Sequence, residues 1–187
     1  MNRKSLSLDE LSSAIGSCTR CERAETRNLA VPGEWGPDTR VMLLGEAPGK
    51  QEDRMGRPFE GRAGRYLTQL MDEYGLRREQ FFITSVLKCF HPGNPKKSQL
   101  SACMSWTEQQ IREANTRAIL VMGTTAASAL LGMQNLGSGA TVRMWNGVPC
   151  VVTAHPAAAM RFPDRDDQFR QGWSEFLNRA REKNLLP

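Results

Sequence analysis

Glu46, Glu52 and Asp53 fall in quick succession in the run Gly45-Glu46-Ala47-Pro48-Gly49-Lys50-Gln51-Glu52-Asp53, just after the apolar stretch Val41-Met42-Leu43-Leu44. Glycine and proline give such a run backbone geometry that other residues resist. Carboxylates held on a shaped loop can orient water or steady a developing cation. A second chemistry-bearing side chain, His155, follows another apolar run and precedes Pro156. An imidazole there can donate a hydrogen bond or move a proton near neutral pH. Cysteine supplies the third kind of chemistry. Cys18 and Cys21 form a C-x2-C pair, with Cys89 and Cys103 farther along. Four such thiols suit zinc or an iron–sulfur cluster alike. Cys150 sits inside an apolar run and reads as a small buried hydrophobe.

The elements that must aim these residues follow from periodicity. Residues 6–16 read as a short helix capped by Ser7, with Leu8, Leu11 and Ile15 at helical spacing. Apolar runs at 40–44, 81–87, 118–122 and 148–153 read as four strands. Between them, residues 63–74, 98–114 and 124–131 have helical spacing, and a last helix covers about 166–183. Residues 134–147 read as a loop or hairpin. Short apolar strands alternating with helices predict an α/β fold with a mostly parallel sheet covered on both faces. The loops leaving the strands then gather on one edge, where such sheets hold ligands. The acidic loop, the Cys89/Asn94 loop, the Thr124 helix start and the His155 loop are thus expected to meet over one cleft.

The 187 residues are enough for one domain with a sizeable core, read here as a single domain over 1–187 with an N-terminal cluster-binding segment. The chain starts basic but lacks the apolar run of a signal peptide, and no stretch is long enough for a membrane span. A cytoplasmic monomer is the expectation. Five cysteines in such a chain do not indicate a disulfide framework. The net charge of +5 is mild evidence for a polyanionic partner.

Taken together, Gly45-Glu46-Ala47-Pro48-Gly49, Glu52-Asp53, Gly56-Arg57-Pro58-Phe59 with Gly61, the four cysteines and His155-Pro156 resemble the uracil-DNA glycosylase superfamily, most closely its iron–sulfur family 4. The likeness runs from Cys18 to Arg161. It implies a three-layer α/β/α sandwich, with four strands expected here, and a [4Fe–4S] cluster on Cys18, Cys21, Cys89 and Cys103. It implies DNA as partner and hydrolysis of an N-glycosidic bond after the base has left the stack. Phe59 then matches the stacking ring, and His155 the donor to the base oxygen. Glu46 and Glu52 would handle water or the sugar cation, and Asn94 would pair with Glu52 or touch the sugar. Ala47, Ser85 and His91 would line the base site. Ala158, Met160 and Arg161 resemble a loop that fills the gap left by the flipped nucleotide. Lys50, Arg57, Arg62 and Lys88, with Arg54, Arg65, Lys96 and Lys97, would meet phosphates.

One departure stands out. Family 4 usually has asparagine where this chain has Ser85, and a single hydroxyl cannot match an amide's paired donor and acceptor. Uracil is the default base by resemblance. Ser85 and the alanines at 157–159 suggest as alternative a roomier pocket that admits a bulky modified pyrimidine, such as hydroxymethylated or glucosylated cytosine of phage DNA. A non-catalytic DNA-binding module and an iron–sulfur electron carrier are further alternatives. No lysine is placed for a Schiff base, so a hydrolase rather than a lyase is expected.

Overall fold

The computed structural model describes residues 6–187; the basic start of the chain, residues 1–5, lies outside them. Helix α1 (Leu8–Gly16) opens with the expected Ser7 cap, which forms a reciprocal capping box with Glu10. A single helical turn, α2 (Arg23–Thr26), follows the C-x2-C pair. Strand β1 (Val41–Gly45) feeds the acidic run, which is not loop throughout. Lys50–Met55 forms helix α3, stopped by Gly56 at φ 69°. Helix α4 (Arg62–Glu73), strand β2 (Phe82–Ser85), helix α5 (Lys97–Glu113) and strand β3 (Ala118–Met122) come next, then helix α6 (Thr124–Leu131). Strands β4 (Thr141–Trp145) and β5 (Val148–Thr153) precede a short helix, α7 (Pro156–Ala159). The last helix, α8 (Pro163–Glu182), begins earlier than its apolar spacing implies because Pro163 suits a first turn.

The sheet order is β2-β1-β3-β5-β4, so the sheet has five strands and not four. The first four run parallel, and β4 pairs antiparallel with β5. Strand β4 is half-exposed and carries Arg143, so no apolar run announces it. Its signal lies in the turn: Asn146 and Gly147 both take positive φ, 45° and 84°, as a two-residue hairpin requires.

Side chains alternate between two packed faces of the sheet. Leu43, Ile83, Leu120 and Val151 meet α4 and α8 through Leu67, Leu70, Phe169 and Trp173. Met42, Leu44, Val121 and Val152 meet Ile111 of α5 and Ala126 and Leu130 of α6. A third cluster seats α1 against α5 and Trp106. Strand order reverses direction at β1, a switch point of the kind that leaves a crevice at the carboxyl ends. Among the described residues, no helix is long and apolar enough to cross a membrane.

Candidate functional site

At the carboxyl ends of β1, β2 and β5 lies a cavity of about 640 Å³, lined among others by Ala47, Glu52, Phe59, Ser85, His155 and Arg161. That volume is typical of a small-molecule site. A neighbouring hollow of about 370 Å³ shares Ala47 and His155 and adds Glu46, Ala158 and Phe162. The rings of Phe59 and His155 lie nearly parallel, centroids 6.1 Å apart and planes at 25°. Phe59 and His155, far apart in sequence, therefore face one cavity, and Glu46 lies with His155 on the hollow beside it.

Phe59 is held there against a local cost. Its φ of 53° is left-handed, a region that bulky residues avoid. Arg78 fixes this backbone by donating to the carbonyls of Pro58 at 2.8 Å and Phe59 at 3.2 Å. The guanidinium also pairs with Glu34. Gly64 lets helix α4 approach, since a Cβ there would lie 1.7 Å from the Phe59 carbonyl oxygen. Gly45 similarly makes room for the ring, with a would-be Cβ only 2.7 Å from its Cζ.

The two glutamates divide. Glu52 is buried, and its carboxylate accepts from the backbone N–H of Gly49 (3.0 Å), Glu60 (2.8 Å) and Gly61 (2.7 Å). It locks the loop that carries Phe59. Asp53 is likewise occupied, accepting from the Asn28 backbone and side chain. Glu46 is half-buried, and its carboxylate has no hydrogen-bonding partner among the described residues. His155 caps α7: its Nδ1 accepts from the Ala157 backbone N–H at 3.1 Å. The neutral ring therefore carries its proton on Nε2, a donor. Burial lowers its pKa below the ordinary value, opposed by the negative charges of Glu46 and Glu52. The neutral donor is thus the working form near neutral pH.

Ser85 ends β2 at the cavity wall, and its hydroxyl has no partner among the described residues. Two residues expected at the base site or in catalysis lie elsewhere. His91 is not among the cavity's lining residues and contacts Thr26 Oγ1 at 3.3 Å. Asn94 is exposed, makes no bond to Glu52 and does not line the cavity. The Pro/Gly-rich loop after Cys89 carries both away. Lys88 is a further correction. It is 2% exposed and turned inward, so it cannot meet phosphate. Its ammonium donates instead to Thr84 Oγ1, the Ser85 carbonyl and Gln110 Oε1. Burial lowers it to about 8, and the Cys103 and Cys89 thiols oppose the fall.

Around the mouth, Lys50, Arg62 and Arg161 are exposed and line the cavity. Arg54 and Arg65 are exposed nearby, whereas Arg57 is tied to Glu34 and Glu60. Lys96 pairs with Glu22 on the cysteine side, and Lys97 is exposed at the start of α5. Met160 is 38% and Phe162 55% exposed beside the hollow, a projecting apolar pair for a surface segment. Phe162 is the N-cap of α8, and only the following Pro163 signals that helix entry in the sequence. Nothing local announces Arg78, whose partners are all distant in sequence.

Cys18, Cys21, Cys89 and Cys103 line one small cavity under α1 and α5. Among the described residues, no three potential ligands converge as a single ion requires; sulfurs around one zinc stand roughly 3.8 Å apart. Four thiols on one cavity have the chemistry of a group bound by thiolates. The surroundings suit it as well. Arg27 donates to Cys89 Sγ at 3.1 Å and Trp106 Nε1 to Cys18 Sγ at 3.4 Å. Such donors favour sulfur that carries negative charge.

The family model described as the uracil DNA glycosylase superfamily matches residues 32–177. A type-4 uracil-DNA glycosylase of Pyrobaculum aerophilum is 34% identical over 97% of this chain and 99% of its own length. One of Thermotoga maritima is 33% identical over 93% of each chain. A type-5 uracil-DNA glycosylase of Thermus thermophilus is 35% identical over 54% of this chain and 53% of its own.

Proposed function

This chain belongs to the uracil DNA glycosylase superfamily and is a DNA glycosylase, and on that premise we propose that it everts uracil from DNA and hydrolyses its glycosidic bond. The observation that carries the reading is the Phe59–His155 pair facing one cavity with Glu46 alongside. A flipped base stacks on Phe59, whose ring offers a flat apolar face. The His155 Nε2–H donates to the base carbonyl oxygen on which negative charge grows as the bond lengthens. Glu46, with a free carboxylate, orients water toward C1′ and steadies the cationic sugar. The C1′–N bond breaks, the water oxygen joins C1′, and its proton ends on the departing base. Glu52 shapes the loop and takes no part in the bond exchange. Lys50, Arg62 and Arg161 meet backbone phosphates, and Met160 with Phe162 fill the vacated stack.

Cys18, Cys21, Cys89 and Cys103 hold a [4Fe–4S] cluster in this reading, supported by the ring of thiols and the donors aimed at them. When bound, it would supply iron–thiolate bonds that tie the segment after α1 to α5 and to the chain after β2.

A second reading keeps the reaction and changes the base. Ser85 leaves an unpartnered hydroxyl where the family usually has an amide, and the cavity adjoins a further hollow past Ala157 and Ala158. A bulky modified cytosine is the base that such space would admit. Neither observation favours a non-catalytic module or an electron carrier. Incubation with duplexes containing uracil, hydroxymethylcytosine or glucosylated cytosine, followed by counting of abasic sites, separates the two readings. Abasic sites at uracil support the first, and sites confined to modified cytosine support the second. No sites in any duplex would overturn both.

A further inference from the structure

Lys88 lines one of the cavities described above and is hydrogen-bonded to residues that line the other. It lines the cysteine cavity, and its ammonium holds the end of β2. The three N–H donors of that ammonium are taken by three neutral oxygens: Ser85 carbonyl at 2.6 Å, Gln110 Oε1 at 2.7 Å and Thr84 Oγ1 at 2.8 Å. Thr84 and Gln110 both donate in turn to the Pro32 carbonyl, at 2.8 and 2.7 Å. The Lys88 carbonyl accepts from the Val31 N–H at 2.7 Å. Val31 and Ser85 both line the base cavity. The ammonium therefore sits at the centre of a closed network that fixes one wall of that cavity.

No carboxylate pairs with this buried cation among the described residues. An ammonium taken out of water with only neutral partners is costly. The groups beside it that can carry negative charge are the sulfurs of Cys89 and Cys103. Iron-bound thiolates would supply the missing counter-charge.

We propose that Lys88 is a positioning residue that couples the two cavities, drawing its counter-charge from the thiolates on one side and fixing the Ser85 wall of the base pocket on the other. The coupling rests on the cluster reading given above. It makes the shape of the base pocket depend on whether the cysteine site is filled.

The test compares full-length wild-type protein, purified with its iron, with Lys88→Met, which keeps the length and removes the charge. Iron and sulfide content, the reduction potential of the cluster, and KM and kcat on the base that the wild type excises are measured. Loss of a positive charge beside the thiolates makes reduction harder, so the potential falls. Loss of the network raises KM about tenfold while kcat stays within about threefold. A purely structural lysine would lower the melting temperature and leave the potential in place. In a folded, iron-loaded variant, an unmoved potential or an unmoved KM overturns the coupling. Should Lys88→Met fail to fold, Thr84→Val removes one acceptor and keeps the charge: a raised KM supports the coupling and an unchanged one overturns it. Wild-type protein that purifies without iron would overturn the cluster reading itself, a result distinct from either.

Discussion

Replacement of Gly45 by alanine puts the stacking platform to a direct test. The added methyl lies 2.7 Å from Cζ and 3.1 Å from Cε2 of Phe59, with Ser85 Oγ at 3.4 Å. Ordinary carbon contacts run about 3.5–4.0 Å, so something must yield by roughly 1 Å. Strand β1 is fully buried and paired on both sides, by β2 and β3, so it does not yield. The Phe59 backbone is pinned by Arg78 and by the close approach of Gly64. The ring itself must tilt. Overpacking of this kind costs about 1–3 kcal/mol. Spent on the position of the ring, it lowers kcat/KM by about 5- to 150-fold. Excision kinetics on an excisable duplex, with thermal unfolding alongside, measure both sides of the effect. A Phe59→Leu change in the Gly45→Ala background removes the atom that clashes. The two substitutions should therefore couple in a double-mutant cycle, with alanine costing less stability in the leucine protein. An unchanged kcat/KM and melting temperature in Gly45→Ala, or strictly additive energies, would refute this account of the ring's placement.

Three further outcomes follow from the site. Glu46→Gln should keep the melting temperature and lose about 100-fold or more in excision, as removal of a water-orienting base does; Glu52→Gln should lose about 2–3 kcal/mol of stability, because an amide cannot accept from three backbone N–H groups. Equal effects of the two on stability would deny the division of roles. Arg78→Met releases the Pro58 and Phe59 carbonyls and should cost about 2–3 kcal/mol in chemical denaturation while raising KM. For His155 the folded pKa lies below the ordinary value of about 6.5, so the unfolded chain takes the proton first as pH falls. Its contribution to stability is intact above about pH 6.5 and is lost as pH drops through the lower folded value. The acid limb of kcat/KM should therefore lie below pH 6.5, and a limb above it would contradict the neutral imidazole.

Much of this architecture is legible in the chain because the informative residues are apolar and periodic. Leu43, Ile83, Leu120 and Val151 mark strands packed on both faces, and strands of that kind announce themselves. That Phe59 and His155 face one cavity, with Glu46 on the hollow beside it, agrees with loops leaving the same edge of the sheet. Strand β4 was not legible, since its half-exposed residues carry no apolar run. Lys88 misleads for a related reason: a lysine at the end of an apolar run reads as surface, and only the packing of Thr84, Gln110 and Pro32 around it turns it inward. The separate duties of Glu46 and Glu52 depend on which backbone N–H groups arrive from residues 49, 60 and 61, and residue type does not encode that.

The Asn146-Gly147 hairpin has a practical consequence. Strand β5 runs parallel to β3 and delivers His155 at its carboxyl end, so the turn at its start projects from the opposite rim of the sheet. Strand β4 is an edge strand, and Met144 beside the turn is 61% exposed. Exposed hairpin tips of this kind accept inserted sequence readily. A fluorescent reporter or an immobilising tether grafted there would hang on the far side of the molecule, leaving the rim that carries Phe59 and His155 free for single-molecule work.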